Sequence, residues 1–189
     1  MISIVFIRHG ATKGNLEKRY IGRSDEPLCD LGTYQAMKLR EYNFSVENIF
    51  VSPMKRTVQT AELIFPERKY IAEEDFKEMD FGAFEGKNAT ELSDNEDYKA
   101  WVESGCTLPV SCGESVEAFK SRCVRAFEKI IKSLPDKSDV AFVVHGGVIM
   151  AILEAFSETK GNFYDYHIKN GEFISCKFEN NTIYTGANK

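Results

Sequence analysis

Residues 2–7, Ile-Ser-Ile-Val-Phe-Ile, form a near-continuous apolar run that stops at Arg8-His9-Gly10. A short run of this kind, rich in β-branched residues and without polar alternation, reads as a strand buried on both faces. The pattern recurs at residues 139–144, Asp-Val-Ala-Phe-Val-Val, which lead into His145-Gly146-Gly147. Two such strands, each followed by histidine and glycine, call for a sheet covered by helices on both sides.

The intervening segments supply those helices. From Asp30 the pattern is helical, with Leu31, Tyr34, Met37 or Lys38, and Tyr42 at helical intervals. Residues 48–51 read as another short buried strand. Ser52-Pro53 then opens a helix to about Phe65, with Ser52 as its cap and proline in its first turn. Residues 80–87 are assigned to a loop and 88–104 to short polar helices. Residues 114–134 are the clearest amphipathic helix, with Val116, Phe119, Cys123, Phe127, Ile130, Ile131 and Leu134 on one face. A helix from Val148 to about Phe156 and two strands near 172–178 and 182–185 complete the chain. No repeat, low-complexity tract or linker interrupts the sequence. The expected fold is α/β: a three-layer α/β/α sandwich with a mostly parallel central sheet, in one domain over residues 1–189.

Composition narrows the function. The 189 residues carry a net charge of −5, which argues against a nucleic-acid partner. No stretch approaches the roughly 18 apolar residues of a membrane span, and the N-terminus reads as a first strand, not a signal peptide. The five cysteines are odd in number and lack zinc-ligand or disulfide-framework spacing. A cytoplasmic chain with reduced thiols, no metal and no cofactor is expected.

Ligands of open α/β sheets bind beyond the carboxyl ends of strands. Arg8, His9, Ser52 and His145 all fall just past such ends. Taken singly, each has an ordinary reading: Arg8 as a surface cation, His9 as a helix-start residue, His145 as a capping residue. Gly146 and Gly147 open a helix whose N–H groups favour anions and whose missing side chains permit close approach. Arg56 lies early in its helix, where it points back toward the strand ends or else out to solvent, as Lys55 is expected to do. Glu78 precedes an aromatic- and glycine-rich segment, and shielding from water there would favour a protonated carboxyl. Asp80 and Glu85 are nearby rivals, and spacing does not choose among the three.

Taken together, Arg8-His9-Gly10, Asn15, Ser52-Pro53-x-x-Arg56, Glu78-x-x-Phe81-Gly82-x-x-Glu85-Gly86, Gly113-Glu114-Ser115 and His145-Gly146-Gly147 resemble the histidine phosphatase superfamily, the phosphoglycerate mutase-like group. The ordered matches cover residues 2 to about 156. The short chain and the Phe-Gly-x-Phe-Glu-Gly segment are most similar to its small phosphatase branch, which includes alpha-ribazole phosphatases.

The resemblance implies a phosphoglycerate mutase-like fold and a metal-independent phosphatase. His9 would be the nucleophile and His145 the second histidine of the phosphate pocket. Arg8 and Arg56 would clamp phosphoryl oxygens, with Asn15, Thr12 and Gly146 adding contacts, and Glu78 would be the proton donor. Phe81 and Phe84 would supply apolar walls beside Glu78. The segment at Gly113-Glu114-Ser115 would support the site without taking part in catalysis. Thr57 stands where alanine is common in the family, and Phe84 where tryptophan is common.

The substrate would be a small phosphorylated metabolite such as alpha-ribazole 5′-phosphate. The alternatives are a phosphoglycerate mutase and a non-catalytic phospho-ligand binding module. A homodimer is compatible with the sequence. Residues 88–112, with Trp101, are expected to form a lid-like helical excursion. His167 lies outside the matched motifs and reads as structural or surface, and Phe163, Tyr164, Tyr166 and Phe173 as core or rim.

Overall fold

A computed structural model describes residues 1–186; the last three residues of the expected domain lie outside the described residues. The elements follow in the order β1 (Ile2–Arg8), α1 (Lys13–Leu16), α2 (Asp30–Arg40), β2 (Asn48–Val51), α3 (Lys55–Ile64) and β3 (Ile71–Ala72). Then come α4 (Glu96–Glu103), α5 (Val116–Ser133), β4 (Asp139–Val144), α6 (Gly146–Phe156), β5 (Phe173–Glu179) and β6 (Thr182–Thr185). Among the described residues the strands form one sheet in the order β3-β2-β4-β1-β5-β6. The pairs β3–β2, β2–β4 and β4–β1 are parallel, whereas β5 runs antiparallel to β1 and β6 antiparallel to β5.

The two apolar runs are buried on both faces because helices cover both. From β4, Val140, Phe142 and Val144 join Ile4 and Phe6 of β1 in a core shared with Phe119, Phe127 and Ile130 of α5 and Ile149 and Ile152 of α6. Ala141 and Val143 point the other way, with Ile7, toward Ala36 and Leu39 of α2 and Ala61 and Ile64 of α3. Phe142 is fully buried and stacks on Phe6 and Phe50 at 5.4 and 5.6 Å between ring centres. Its burial contributes about 2–3 kcal/mol.

The register of β1 on β4 pairs Arg8 with Val144. His9 and His145 therefore leave adjacent parallel strands at the same level. Close backbone approach fixes the turn after β1: a Cβ on Gly10 would lie 2.3 Å from the Gly32 carbonyl oxygen.

Three local expectations need correction. Ser52 does not cap α3; Met54 occupies that position, and Ser52 is fully buried in the site described below. Residues 88–104 contain one regular helix, α4, preceded by turns. Helix α6 begins at Gly146, two residues before the expected start. The pair Ile71–Ala72 was too short to mark a strand by pattern, and β3 exists because β2 offers it parallel partners.

Candidate active site

Parallel pairing delivers His9 and His145 to one point, with ring centres 5.1 Å apart and planes inclined at 68°. His9 Nδ1 lies 2.7 Å from the carbonyl oxygen of Gly10. A carbonyl only accepts, so Nδ1 carries the proton and Nε2 keeps its lone pair. Burial pushes the His9 pKa well below its ordinary value, and the charges of Arg56 and Arg8 lower it further. His9 is a neutral imidazole whose Nε2 has no hydrogen-bond partner among the described residues.

His145 is also fully buried, and burial and Arg56 push its pKa well down. Arg56 Nε donates to its Nδ1 at 3.3 Å, which places its proton on Nε2, 2.7 Å from Ser52 Oγ. The serine read as a helix cap is a partner of the second histidine. Thr57, which stands where alanine is common, donates its hydroxyl to the carbonyls of Ser52 and Met54 at 2.7 and 2.6 Å.

Arg56 is 1% exposed, and its guanidinium is gripped from behind. Nη1 donates to the Ser24 carbonyl at 2.8 Å and Nη2 to that of Gly22 at 2.9 Å. Glu85 shapes that loop, because its Oε1 accepts from the N–H groups of both Gly22 and Ser24 at 2.8 Å. Arg8 donates through Nη1 to the Ile168 carbonyl at 2.6 Å. Its Nε is buried without a hydrogen-bond partner among the described residues. An orphaned cationic N–H of this kind costs stability unless an anion reaches it.

The structure separates the three carboxylates that spacing left open. Glu78 lines a cavity of about 350 Å³ together with Arg8, Asn15, Gly146 and Gly147. Its Oε1 accepts from the Met79 N–H at 2.9 Å and its Oε2 from the Gly147 N–H at 3.1 Å. Asp80 instead closes a local turn onto the Gly82 N–H, and Glu85 serves the 22–24 loop. Arg122 holds the backbone that presents Glu78, donating to the carbonyls of Asp75, Lys77 and Glu78 at 2.5, 2.7 and 3.1 Å. Glu114 fixes Arg122 with a two-pronged pair at 2.7 and 2.9 Å, so the Gly113-Glu114-Ser115 segment acts on the site from behind.

Asn15 lines the cavity with its amide orientation determined. Its Oδ1 accepts from the Thr12 N–H and from Asn170 Nδ2, both at 3.1 Å, leaving its own NH2 to face a ligand. Thr12 is fully buried, and its hydroxyl accepts from the Asn15 N–H at 3.2 Å. It does not line the cavity itself and supports Asn15, as the cap of α1. Phe84 is likewise withdrawn: it is 1% exposed and packs on Tyr98 and Trp101, leaving Phe81 as the apolar wall near Glu78. Trp101 of α4 lines the cavity.

Sequence reasoning missed two residues here. His167, read as structural or surface, is exposed, yet it lines the cavity with Nε2 3.3 Å from Arg8 Nη1. Asn170 donates to the His9 carbonyl at 3.2 Å as well as to Asn15. Both lie in the loop before β5, whose only local signal was Asn170-Gly171.

The model of the histidine phosphatase superfamily (branch 1) matches residues 4–185 of this chain. The chain belongs to the histidine phosphatase superfamily. A protein of Bacillus subtilis named "Uncharacterized phosphatase PhoE" is 31% identical over 83% of this chain and 78% of its own length. A 2,3-bisphosphoglycerate-dependent phosphoglycerate mutase of Cytophaga hutchinsonii is 30% identical over 79% of this chain and 75% of its own. In fold, the crystal structure of the alpha-ribazole phosphatase from Shigella flexneri superposes with a TM-score of 0.86 and 22% identity, covering 97% of this chain and 94% of that one. The resemblance first read from the motifs therefore holds for the family and for the phosphoglycerate mutase-like fold. Relatives named as phosphatase and as mutase both match. No helix among the described residues is long and apolar enough to cross a membrane.

Proposed function

We propose that the chain hydrolyses a small phosphomonoester in two displacements through a phosphohistidine on His9. One observation carries the reading: a buried neutral imidazole with Nδ1 tied to the Gly10 carbonyl and Nε2 free, flanked by the charges of the buried Arg56 and the half-buried Arg8. The Nε2 lone pair attacks phosphorus, the P–O ester bond breaks, and the leaving alkoxide takes the proton of the Glu78 carboxyl. Water then attacks the phosphohistidine and gives a proton to the Glu78 carboxylate, while the P–N bond breaks to release phosphate and neutral His9.

Charge spreads over the equatorial oxygens during each transfer. Arg8, Arg56 and the Asn15 amide are the fixed donors that meet it, each worth about 3 kcal/mol in a water-excluded site. His145 keeps Arg56 aimed by accepting its Nε–H. The two guanidiniums supply the countercharge that a metal ion supplies in other phosphatases. The same reading places the enzyme in the cytoplasm, where its five free cysteines stay reduced.

The test is a screen for phosphate release from sugar phosphates, phosphoglycerates, nucleoside phosphates and alpha-ribazole 5′-phosphate, with EDTA present. Chelator-resistant turnover that vanishes in His9→Ala is expected, and turnover surviving that substitution defeats the nucleophile assignment. With 3-phosphoglycerate, free phosphate is the expected product. Accumulation of 2-phosphoglycerate in its place would make the chain a mutase.

A further inference from the structure

The cavity lined by Arg8, Asn15 and Glu78 has two kinds of wall. The polar groups keep together: Gly146 packs on the Arg8 guanidinium, and Gly147 on the Glu78 carboxylate that it also hydrogen-bonds. Much of the remainder is aromatic, in two groups of rings, beside the apolar side chains of Ile21, Met79, Val116 and Met150. Tyr20 stands 5.3 Å from Phe81 and 5.5 Å from Trp101 between ring centres, and Phe163 meets Tyr164 edge-on at 5.1 Å. All five line the cavity. At about 350 Å³, the space falls in the roughly 300–1,000 Å³ range of sites that enclose whole small molecules, so it holds more than a phosphoryl group.

Charge on these walls points the same way. Apart from Arg8 and the ring of His167, the one basic side chain lining the cavity among the described residues is Arg19. Arg19 is already spent. Its Nε donates to Glu17 at 2.6 Å, Nη1 and Nη2 pair with Glu91 at 2.7 and 3.0 Å, and Nη1 also donates to the Gly86 carbonyl at 2.6 Å. Two carboxylates neutralise it. A substrate with a second anionic group, a carboxylate or another phosphate, would place that charge among aromatic rings with no free cation to receive it.

We infer that the alcohol half of the substrate is an uncharged body carrying a flat ring, held between Tyr20, Trp101 and Tyr164 while its phosphate meets His9. The inference rests on the reading of His9 as phosphoryl acceptor and adds the class of ester that it serves. Ring faces and edges offer an aromatic body offset-stacked and edge-on contacts that a short polar chain does not make. It also disfavours phosphoglycerates, whose carboxylate meets no free cation on these walls.

Three primary alkyl esters of the same reaction type separate the possibilities: 2-phenylethyl phosphate, sn-glycerol 3-phosphate and 3-phosphoglycerate. The ring ester is expected to show at least tenfold higher kcat/KM than either of the others. In Tyr164→Ala, at an exposed rim position where folding is not at stake, that ratio should shrink about fivefold. Equal or better turnover of glycerol 3-phosphate or 3-phosphoglycerate overturns the inference and leaves the phosphatase reading intact. Calorimetric titration of His9→Ala with the same esters reads the preference without turnover. If the wild-type protein releases phosphate from none of them, the binding order still decides. Tighter binding of the ring ester upholds the inference, and indifference among the three refutes it.

Discussion

Asn170 Nδ2 lies 3.1 Å from Asn15 Oδ1 and 3.2 Å from the carbonyl oxygen of His9, so one amide spans the backbone of the proposed nucleophile and a side chain that lines the cavity. Both acceptors are oxygens, which fixes the amide of Asn170, and the Thr12 N–H fixes that of Asn15. Asn170→Asp keeps the shape and puts a carboxylate against two acceptors. Asn15 is then expected to turn its oxygen away and lose its grip on phosphate. The loss should be about tenfold in kcat/KM, in line with one hydrogen bond to a charged group. Steady-state kinetics of Asn170→Asp beside Asn15→Ala and the double variant check this, and fully additive losses would show that Asn170 does not act through Asn15.

Glu78→Gln should separate substrates by leaving group. An alkyl ester departs as a strongly basic alkoxide and needs the proton, whereas p-nitrophenolate leaves without one. General-acid assistance is worth about 10²–10⁴-fold, so the alkyl ester should lose a factor in that range and p-nitrophenyl phosphate little. The two kcat/KM values measured side by side decide it, and equal losses would remove Glu78 from the role of acid.

What the chain revealed in advance was whatever local pattern specifies. The strand at Asp139–Val144 was legible to the residue, because a five-residue apolar run bounded by Asp139 and by histidine and glycine has one satisfactory environment. The histidines, Arg8, Arg56 and Glu78 were legible as a set of motifs, and the geometry shows why they travel together: the register of β1 on β4 brings strand ends 136 residues apart to one level. Ser52 misled because Ser-Pro opens helices in general, while here the buried ring of His145 competes for its hydroxyl and wins. Asn170 and His167 were illegible, since their partners Asn15 and Arg8 are remote in sequence and a loop carries no period. Glu85 and Glu78 could not be told apart by spacing, because their difference lies in which backbone N–H groups surround each carboxylate.

Stability should fall as pH drops below about 6.5, for a reason separate from the surface carboxylates. His9 and His145 are fully buried, and their pKa values are held well below the ordinary 6.5, by burial first and then by Arg56. In the unfolded chain both take up a proton near 6.5, while the folded protein does not, so the unfolded state binds more protons between the depressed values and 6.5. Stability therefore rises with pH through that window, by up to about 2.7 kcal/mol per pH unit for two such groups. Urea midpoints between pH 5.5 and 7.5 measure the slope. His145→Gln should cut it by about half, and an unchanged slope would mean that His145 is not the group that resists protonation.

The glycines after His145 give two different failures. A Cβ on Gly147 would lie 2.3 Å from Glu78 Oε1 and 2.9 Å from Phe119 Cζ, whereas one on Gly146 would lie 3.2 Å from Arg8 Cζ. Gly147→Ala must displace the carboxylate, because the Phe119 ring is core and cannot yield. It should reproduce the Glu78→Gln signature, with turnover of alkyl esters falling at least about tenfold and p-nitrophenyl phosphate largely spared. Gly146→Ala presses on the guanidinium proposed to hold phosphate, so both esters should suffer together through KM. Measuring both variants on both esters tests the division of labour directly: if Gly147→Ala lowers the two substrates equally, the carboxylate is not what that glycine makes room for.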